Sequence, residues 1–356
     1  MKKSIWLMII VGVCLLAVAY FGSSPTVENT NSIEDTVSDK SIVIGFSQLG
    51  AESDWRTANT ESMKSAFREE DGYELIFDDA QQKQENQITA IRNFILQEVD
   101  YIVLAPVTET GWETVLQETK DAGIPVIIVD RMVDVTDESL FTAWVGSNFE
   151  LEGKKACEWL AAFAKEKNIQ PEEIHIVNIQ GTMGGSSQIG RTTSLEMAVK
   201  ENGWDLLAEE TGEYTQAKAR EVMGSFLKRF DNVNVVYCEN DNEAFGAIDA
   251  IEAAGKRVGS DITHGEIMVM SFDATKAGLA DTLKGKITVD TECNPLHGPR
   301  VESIIRELEA GKKIEKQVYV GENIFSADDT ITEVTVDEEK YPVVILTQDI
   351  LDGRAY

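Results

Sequence analysis

The stretch IVIGFSQLGAESDWRTANTESMKSAFREEDGYELIFDD, residues 42–79, decides the fold. It opens on the apolar run Ile42-Val43-Ile44-Gly45-Phe46 and passes through a polar turn carrying Trp55-Arg56. An amphipathic helical pattern follows, and a second strand closes on Asp78-Asp79. A short run that is apolar throughout suits a strand covered on both faces, as in a parallel sheet with helices on either side. The unit recurs along the chain. Further strands are predicted at 101–104, 126–129 and 142–145, with helices starting near Asp54, Gln84 and Thr110. The second half repeats the scheme, with strands at 174–179, 205–209, 233–237, 267–272 and 287–290. Its helices start near Ser187, Gln216, Asn242 and Thr275, and one more spans 295–310. The class is therefore α/β, with two successive doubly wound parallel sheets and a change of lobe near Gly146-Ser147-Asn148.

At 356 residues the chain holds two domains of ordinary size. A net charge of -30 repels phosphate backbones and anionic membrane surfaces, so nucleic acid is excluded as a partner. Cys157, Cys238 and Cys293 allow at most one bridge and offer no CxxC pair, and Cys14 lies in the leader without a lipobox around it. His175, His264 and His297 lack metal-ligand spacing, so neither a metal nor a cofactor is expected. Lys2-Lys3 before the uncharged run 4–22 marks export, with Ala17-Val18-Ala19 as a cleavage site; the run is also long enough to remain as a membrane anchor. Residues 23–40 are polar, without aromatics, and read as a flexible tether. The folded part is expected on the outer side of the cytoplasmic membrane.

In open parallel sheets ligands bind beyond the carboxyl ends of the strands. Asp130-Arg131 follows the strand 126–129, Asn240 follows the strand 233–237, Asp273 follows 267–272, and Glu292 follows the strand closing at Asp290. A sugar presents a rim of hydroxyls and faces of C–H bonds. Carboxylates accept from paired hydroxyls, arginine forks and amides donate, and aromatic rings cover the apolar face. Asp130, Asp273 and Glu292 fill the first role, Arg56, Arg131, Arg191, Asn240 and Gln82 the second, and Trp55 or Tyr214 the third. Each also has a plainer reading, since an Asp at a strand end often caps a helix and a Trp often packs beneath one. Their joint placement favours a polar slot for a monosaccharide.

Five strings carry a family resemblance: GFSQLGAESDWRTA (45–58), DDAQQKQENQITAIRNF (78–94), APVTETGWETVL (105–116), AGIPVIIVDR (122–131) and NDNEAFGAIDAI (240–251). The chain resembles the periplasmic sugar-binding proteins of bacterial ABC transporters, in the ribose and galactose branch, and most closely its galactofuranose-binding members. The resemblance covers about 42–321. It implies a type I periplasmic binding protein fold with three crossovers: a first lobe of 41–146 plus 293–323, and a second of 147–292 plus 324–346. It also implies hinge closure on one sugar, docking of a monomer on the membrane permease, and no catalysis. Carried over by motif, Trp55, Arg56, Gln82, Asp130 and Arg131 face the ligand from the first lobe. Asn148, Arg191, Tyr214, Asn240 and Asp273 face it from the second, with Glu292 at the second crossover. Arg56 stands where ribose- and hexose-preferring relatives carry an aromatic, which suits a furanose such as galactofuranose or arabinofuranose. The tail beyond Gly321 does not match closely. Three other readings belong to the same inventory: a sensor handing the sugar-bound state to a membrane histidine kinase, a glycosidase using the carboxylates, and a sugar repressor. The acidic charge and the leader argue against the last.

Overall fold

A computed structural model of the protein describes residues 41–356. The leader at 1–22 and the tether at 23–40 lie outside the described residues. The first sheet is built from β1 (Ile42–Gln48), β2 (Tyr73–Asp79), β3 (Tyr101–Leu104), β4 (Val126–Val129) and β5 (Ala143–Gly146). Between and after these strands run α1 (Asp54–Ala66), α2 (Gln84–Leu96), α3 (Glu113–Asp121) and α4 (Phe149–Glu166). The second sheet takes β6 (His175–Gln180), β7 (Asp205–Thr211), β8 (Val235–Cys238), β10 (Glu266–Asp273) and β11 (Val289–Glu292), with the short β9 (Arg257–Val258) beside β10. Its connections are α5 (Ser186–Asn202), α6 (Gln216–Arg229), α7 (Asp241–Ala253) and α8 (Lys276–Leu283).

The parallel strands run β2-β1-β3-β4-β5 in one sheet and β7-β6-β8-β10-β11 in the other, the same doubly wound order twice. Both faces of each sheet are covered, which is why the strands read as unbroken apolar runs. In the first lobe Ile44, Phe46, Val103 and Ile127 pack with Met63, Val301 and Ile305. On the opposite face Ile102, Leu104 and Ile128 pack with Ile91, Phe94 and Leu116. In the second lobe Ile176, Tyr237 and Met270 meet Trp159, Leu160 and Leu195, while Ile179, Val236 and Val269 meet Phe226, Ile248 and Ile251.

The chain passes between the sheets after β5, after β11 and again after β12 (Gln317–Tyr319). Beyond the second passage, α9 (Gly298–Glu309) packs on α1 of the first lobe, and β12 extends the first sheet beside β5. Beyond the third, β13 (Ile324–Ser326) joins the second sheet antiparallel to β11. The hairpin of β14 (Glu333–Val336) and β15 (Glu339–Ile345) forms its edge, and α10 (Gln348–Asp352) follows. None of β12 to β15 is visible as a long apolar run, because β12 and β13 have three residues each and the β14–β15 hairpin at the sheet edge carries charged residues such as Glu333, Glu339 and Lys340.

Glu322, in the third passage, ties the hinge together. Its Oε1 accepts from Ser147 Oγ at 2.5 Å in the first passage and from the Asn294 N–H at 2.7 Å in the second. Cys157, Cys238 and Cys293 are all free and buried. Among the described residues no helix is long and apolar enough to cross a membrane.

The contact between α1 and α9 sets where α1 presents its N-terminus. Asn59 Nδ2 donates to Pro295 O at 2.9 Å and the Gly298 N–H donates to Ser62 Oγ at 3.1 Å. A Cβ on Gly298 would lie 2.1 Å from Ser62 O, so only glycine permits this approach. Gly298→Ala is expected to lower the unfolding free energy by about 1–3 kcal/mol through overpacking. Urea denaturation measures this, and an unchanged midpoint would contradict the tight contact.

Candidate ligand-binding site

The loops at the carboxyl ends of both sheets converge on a narrow cavity between the lobes. Three arginines and three carboxylates line it: Arg56, Arg131, Arg191, Glu52, Asp130 and Asp273. Ser53, Trp55, Phe149, Ser187, Tyr214, Asn240 and Cys293 complete the wall.

On the first lobe, Ser53 caps α1 by accepting from the Arg56 N–H at 3.1 Å, which fixes Trp55 and Arg56 in the first turn. Arg56 Nη2 donates to Asp130 Oδ2 at 2.5 Å and its Nε to Glu52 Oε1 at 3.1 Å. Arg131 donates from Nη1 to Val107 O at 2.7 Å, and its Nη2 lies 3.9 Å from Glu52. Trp55 Nε1 donates to Cys293 O at 2.6 Å, so the ring is pinned to the second passage, with the Arg56 guanidinium 4.6 Å from its centroid. Arg56 Nη1, Arg131 Nε and Glu52 Oε2 are buried and have no hydrogen-bond partner.

On the second lobe, Arg191 Nε and Nη2 lie 2.8 Å from Glu152 Oε2, Nη1 donates to Glu239 O at 2.5 Å, and Asp273 is 3.8 Å away. Tyr214 pairs its hydroxyl with Ser187 Oγ at 2.8 Å, and its ring lies beside the Arg131 guanidinium, 5.2 Å to the centroid. Asn240 caps α7 by accepting from the Glu243 N–H at 2.8 Å and donates to Tyr214 O at 3.3 Å. The two lobes also touch around the cavity. The Asp54 N–H donates to Asn242 Oδ1 at 3.0 Å, and the Met132 N–H to Ser186 Oγ at 2.9 Å.

The surroundings of the two central aspartates push their carboxyls in opposite directions. Burial pushes Asp130 up, but the guanidiniums of Arg56 and Arg131 outweigh it and hold the carboxyl below its ordinary value. Burial also pushes Asp273 up, and there it wins: Arg191 opposes it only from 3.8 Å, while Asp241, Glu152 and Asp130 add to the rise. One carboxylate is therefore paired within the protein, and the other lacks a close compensating donor.

The model of the periplasmic binding protein domain matches residues 44–292. The chain belongs to the periplasmic binding protein family. It is 39% identical over 292 residues to the galactofuranose-binding protein YtfQ of Escherichia coli, covering 81% of this chain and 88% of that protein. A Mycobacterium smegmatis protein solved in complex with β-D-fucofuranose is 41% identical, with a TM-score of 0.75 over 80% of this chain and 91% of its own. The periplasmic component of the arabinose ABC transporter of Shewanella sp. ANA-3, bound to α- and β-L-arabinofuranose, is 37% identical, with a TM-score of 0.73 over 80% of this chain and 91% of its own. The fold is that of a type I periplasmic binding protein, as the quoted strings imply.

In this periplasmic binding protein the cavity brings together Trp55, Arg56, Asp130, Arg131, Arg191, Tyr214, Asn240 and Asp273. Three other expected residues lie elsewhere. Gln82 is an exposed turn residue at φ 59° before α2. Asn148 is exposed and spends its Oδ1 on the Leu151 N–H at 3.0 Å, capping α4. Glu292 sits behind the wall, accepting from Asn323, Arg354 and Tyr356. The cavity also includes Glu52, Phe149, Ser187 and Cys293, none of which the sequence singled out, and Glu152 orients Arg191 from behind. Glu152 had a signal: it lies on the buried face of α4 with Phe149, Ala156 and Leu160, where a charge needs a partner.

Behind Trp55, His297 is fully buried, its ring edge-on to the indole at 5.8 Å. Gln48 Nε2 donates to Asn59 Oδ1 at 2.9 Å, which turns Asn59 Nδ2 toward His297 Nδ1 at 3.1 Å and leaves the ring proton on Nε2. Burial lowers this imidazole to about 4. Its contribution to stability is fully present above its unfolded value near 6.5 and is lost as pH falls toward 4, because only the unfolded chain takes up the proton there. NMR of the His297 ring should show the neutral form at pH 5. A midpoint near 6.5 would contradict the packing.

Proposed function

We propose that the protein captures one monosaccharide in its furanose form, outside the cytoplasm, and delivers it as a monomer to the membrane permease of an ABC transporter. The observation that carries this reading is the cavity itself, where buried arginine and carboxylate atoms without partners line a narrow space between two lobes. Buried polar groups of that kind are costly unless something completes their hydrogen bonds, and a ring of hydroxyls can donate to Glu52 and Asp273 while accepting from Arg56 and Arg131. Trp55, Phe149 and Tyr214 supply apolar surface for the C–H faces. Relatives at 37–41% identity were solved with, or are named for, furanoses.

The mechanism is closure. The open cleft exposes the polar walls, the sugar joins them, and the contacts from Asp54 to Asn242 and from Met132 to Ser186 form as the lobes meet. The permease then reads the closed shape. The leader and tether at 1–40 would hold the receptor at, or release it from, the outer face of the membrane. The sugar leaves chemically unchanged.

Two assays test this. Isothermal titration of L-arabinose and D-galactose should give saturable binding, and Asp130→Ala should weaken it by on the order of 2–4 kcal/mol, because Arg56 loses its buried partner. Unchanged affinity in that variant would remove the assigned pocket. Nitrophenyl α-L-arabinofuranoside should be returned intact, and release of nitrophenol would favour a glycosidase.

A further inference from the structure

The wall residue Asp273 sits in an unusual backbone. Asp273 has φ 99° and Ala274 has φ 51°, both in the left-handed region that non-glycine residues avoid. Such a bend persists only where surrounding contacts over-determine it. Part of that support comes from within the second lobe. The Ala274 N–H donates to Asp290 Oδ1 at 3.0 Å, and the N–H and hydroxyl of Thr275 donate to Asp241 Oδ2 at 2.8 and 2.6 Å. These contacts fix the amide side of the bend; the Asp273 carbonyl accepts from the Cys293 N–H at 3.4 Å, and the Ala274 carbonyl is held from elsewhere.

The holding group arrives from the far end of the chain. Arg354 Nε donates to Ala274 O at 2.8 Å, and the Lys276 N–H donates to Tyr356 O at 2.6 Å. The same guanidinium donates from Nη1 to Glu292 Oε1 at 2.8 Å and from Nη2 to the Tyr356 hydroxyl, which in turn donates to Glu292 Oε1 at 2.7 Å. Glu292 Oε2 accepts from the main-chain and side-chain nitrogens of Asn323 at 2.9 and 2.8 Å. Asp273 and Glu292 are register partners at the ends of β10 and β11. One carboxylate of this pair lines the cavity, while the other anchors the tail and the third passage.

We propose that Arg354 is a positioning residue for sugar capture: it clamps the left-handed Asp273–Ala274 bend to the Glu292–Asn323 junction of the hinge, so that Asp273 is aimed into the cavity as the lobes close. This rests on the sugar-receptor reading above. Arg354 itself does not line the cavity, so its effect passes through Asp273. The clamp also joins the aiming of a binding group to two of the three passages between the lobes, which links site geometry to hinge geometry through one side chain.

The test compares the wild type with Arg354→Ala, Arg354→Gln and Arg354→Lys in the full folded protein. In the unliganded state, hydrogen exchange at the Ala274, Thr275 and Lys276 amides should quicken by about tenfold or more in Arg354→Ala, as loss of a charge-assisted hydrogen bond implies. The amides of residues 267–271 should be unaffected. Titration with L-arabinose and D-galactose should show a comparable loss of affinity, with Arg354→Lys recovering part of both effects, since an ammonium can reach one of the two acceptors. Exchange and affinity both within about twofold of wild type would overturn the proposal. Should Arg354→Ala not fold, Arg354→Gln, which keeps the bulk and removes the charge, gives the same comparison. Should the wild type bind neither sugar, the sugar-receptor reading falls, while the exchange measurement still decides whether Arg354 clamps the bend.

Discussion

Three guanidinium groups buried to 2–3% exposure, those of Arg56, Arg131 and Arg191, set the terms for everything around them. Removing such a cation from water costs several kcal/mol unless anions and acceptors replace the lost hydration. Arg56 is answered by Asp130 and Glu52, Arg191 by Glu152, and Arg131 mainly by a main-chain carbonyl. Because Asp130 comes from the end of β4 and Arg56 from the first turn of α1, their 2.5 Å pair fixes one strand end against one helix start. This part of the wall is therefore held together within the first lobe itself.

Pairing is incomplete by design of the site rather than by poor packing. Each lobe brings its own arginine and carboxylate set; Arg56 Nη1, Arg131 Nε and Glu52 Oε2 of the first lobe remain without partners, as does Glu152 Oε1 behind the second lobe's wall. These are the atoms that make closure conditional, since bringing the walls together without a polyhydroxylated molecule would leave them desolvated and unmatched. The hinge follows the same logic. Glu322 gathers the three passages, and burial together with the nearby Glu152 raises its carboxyl.

Much of the architecture was legible because the inner parallel strands, such as β3, β4 and β8, are buried on both faces and write themselves as uninterrupted apolar runs. The outer strands β2 and β7 mix charged and apolar residues and are placed by the helices that alternate with them. The elements β12 to β15 and α10 were not legible, since β12, β13 and α10 are too short to show a period and the half-exposed hairpin β14–β15 mixes charged and apolar residues. Site residues were legible where a polar residue directly follows a strand, as with Asp130, Arg131, Asn240 and Asp273. Glu52 and Phe149 were missed because a loop residue and a helix-start aromatic carry no pattern of their own; only the folded loops bring them to the cavity. Asn148 and Gln82 lie outside the cavity, where capping and turn chemistry use the same residue types that bind sugars. Glu292 was placed correctly on its strand, but its side chain serves the tail.

The central claim is that the cavity holds an intact furanose. Carbon-13 NMR of the protein with L-arabinose labelled at C1 reads the ring form of the bound sugar directly. The account predicts a bound anomeric resonance in the furanose region and unaltered arabinose recovered on denaturing the protein. A bound resonance at the pyranose position, or no bound signal for labelled arabinose and labelled galactose alike, would contradict it.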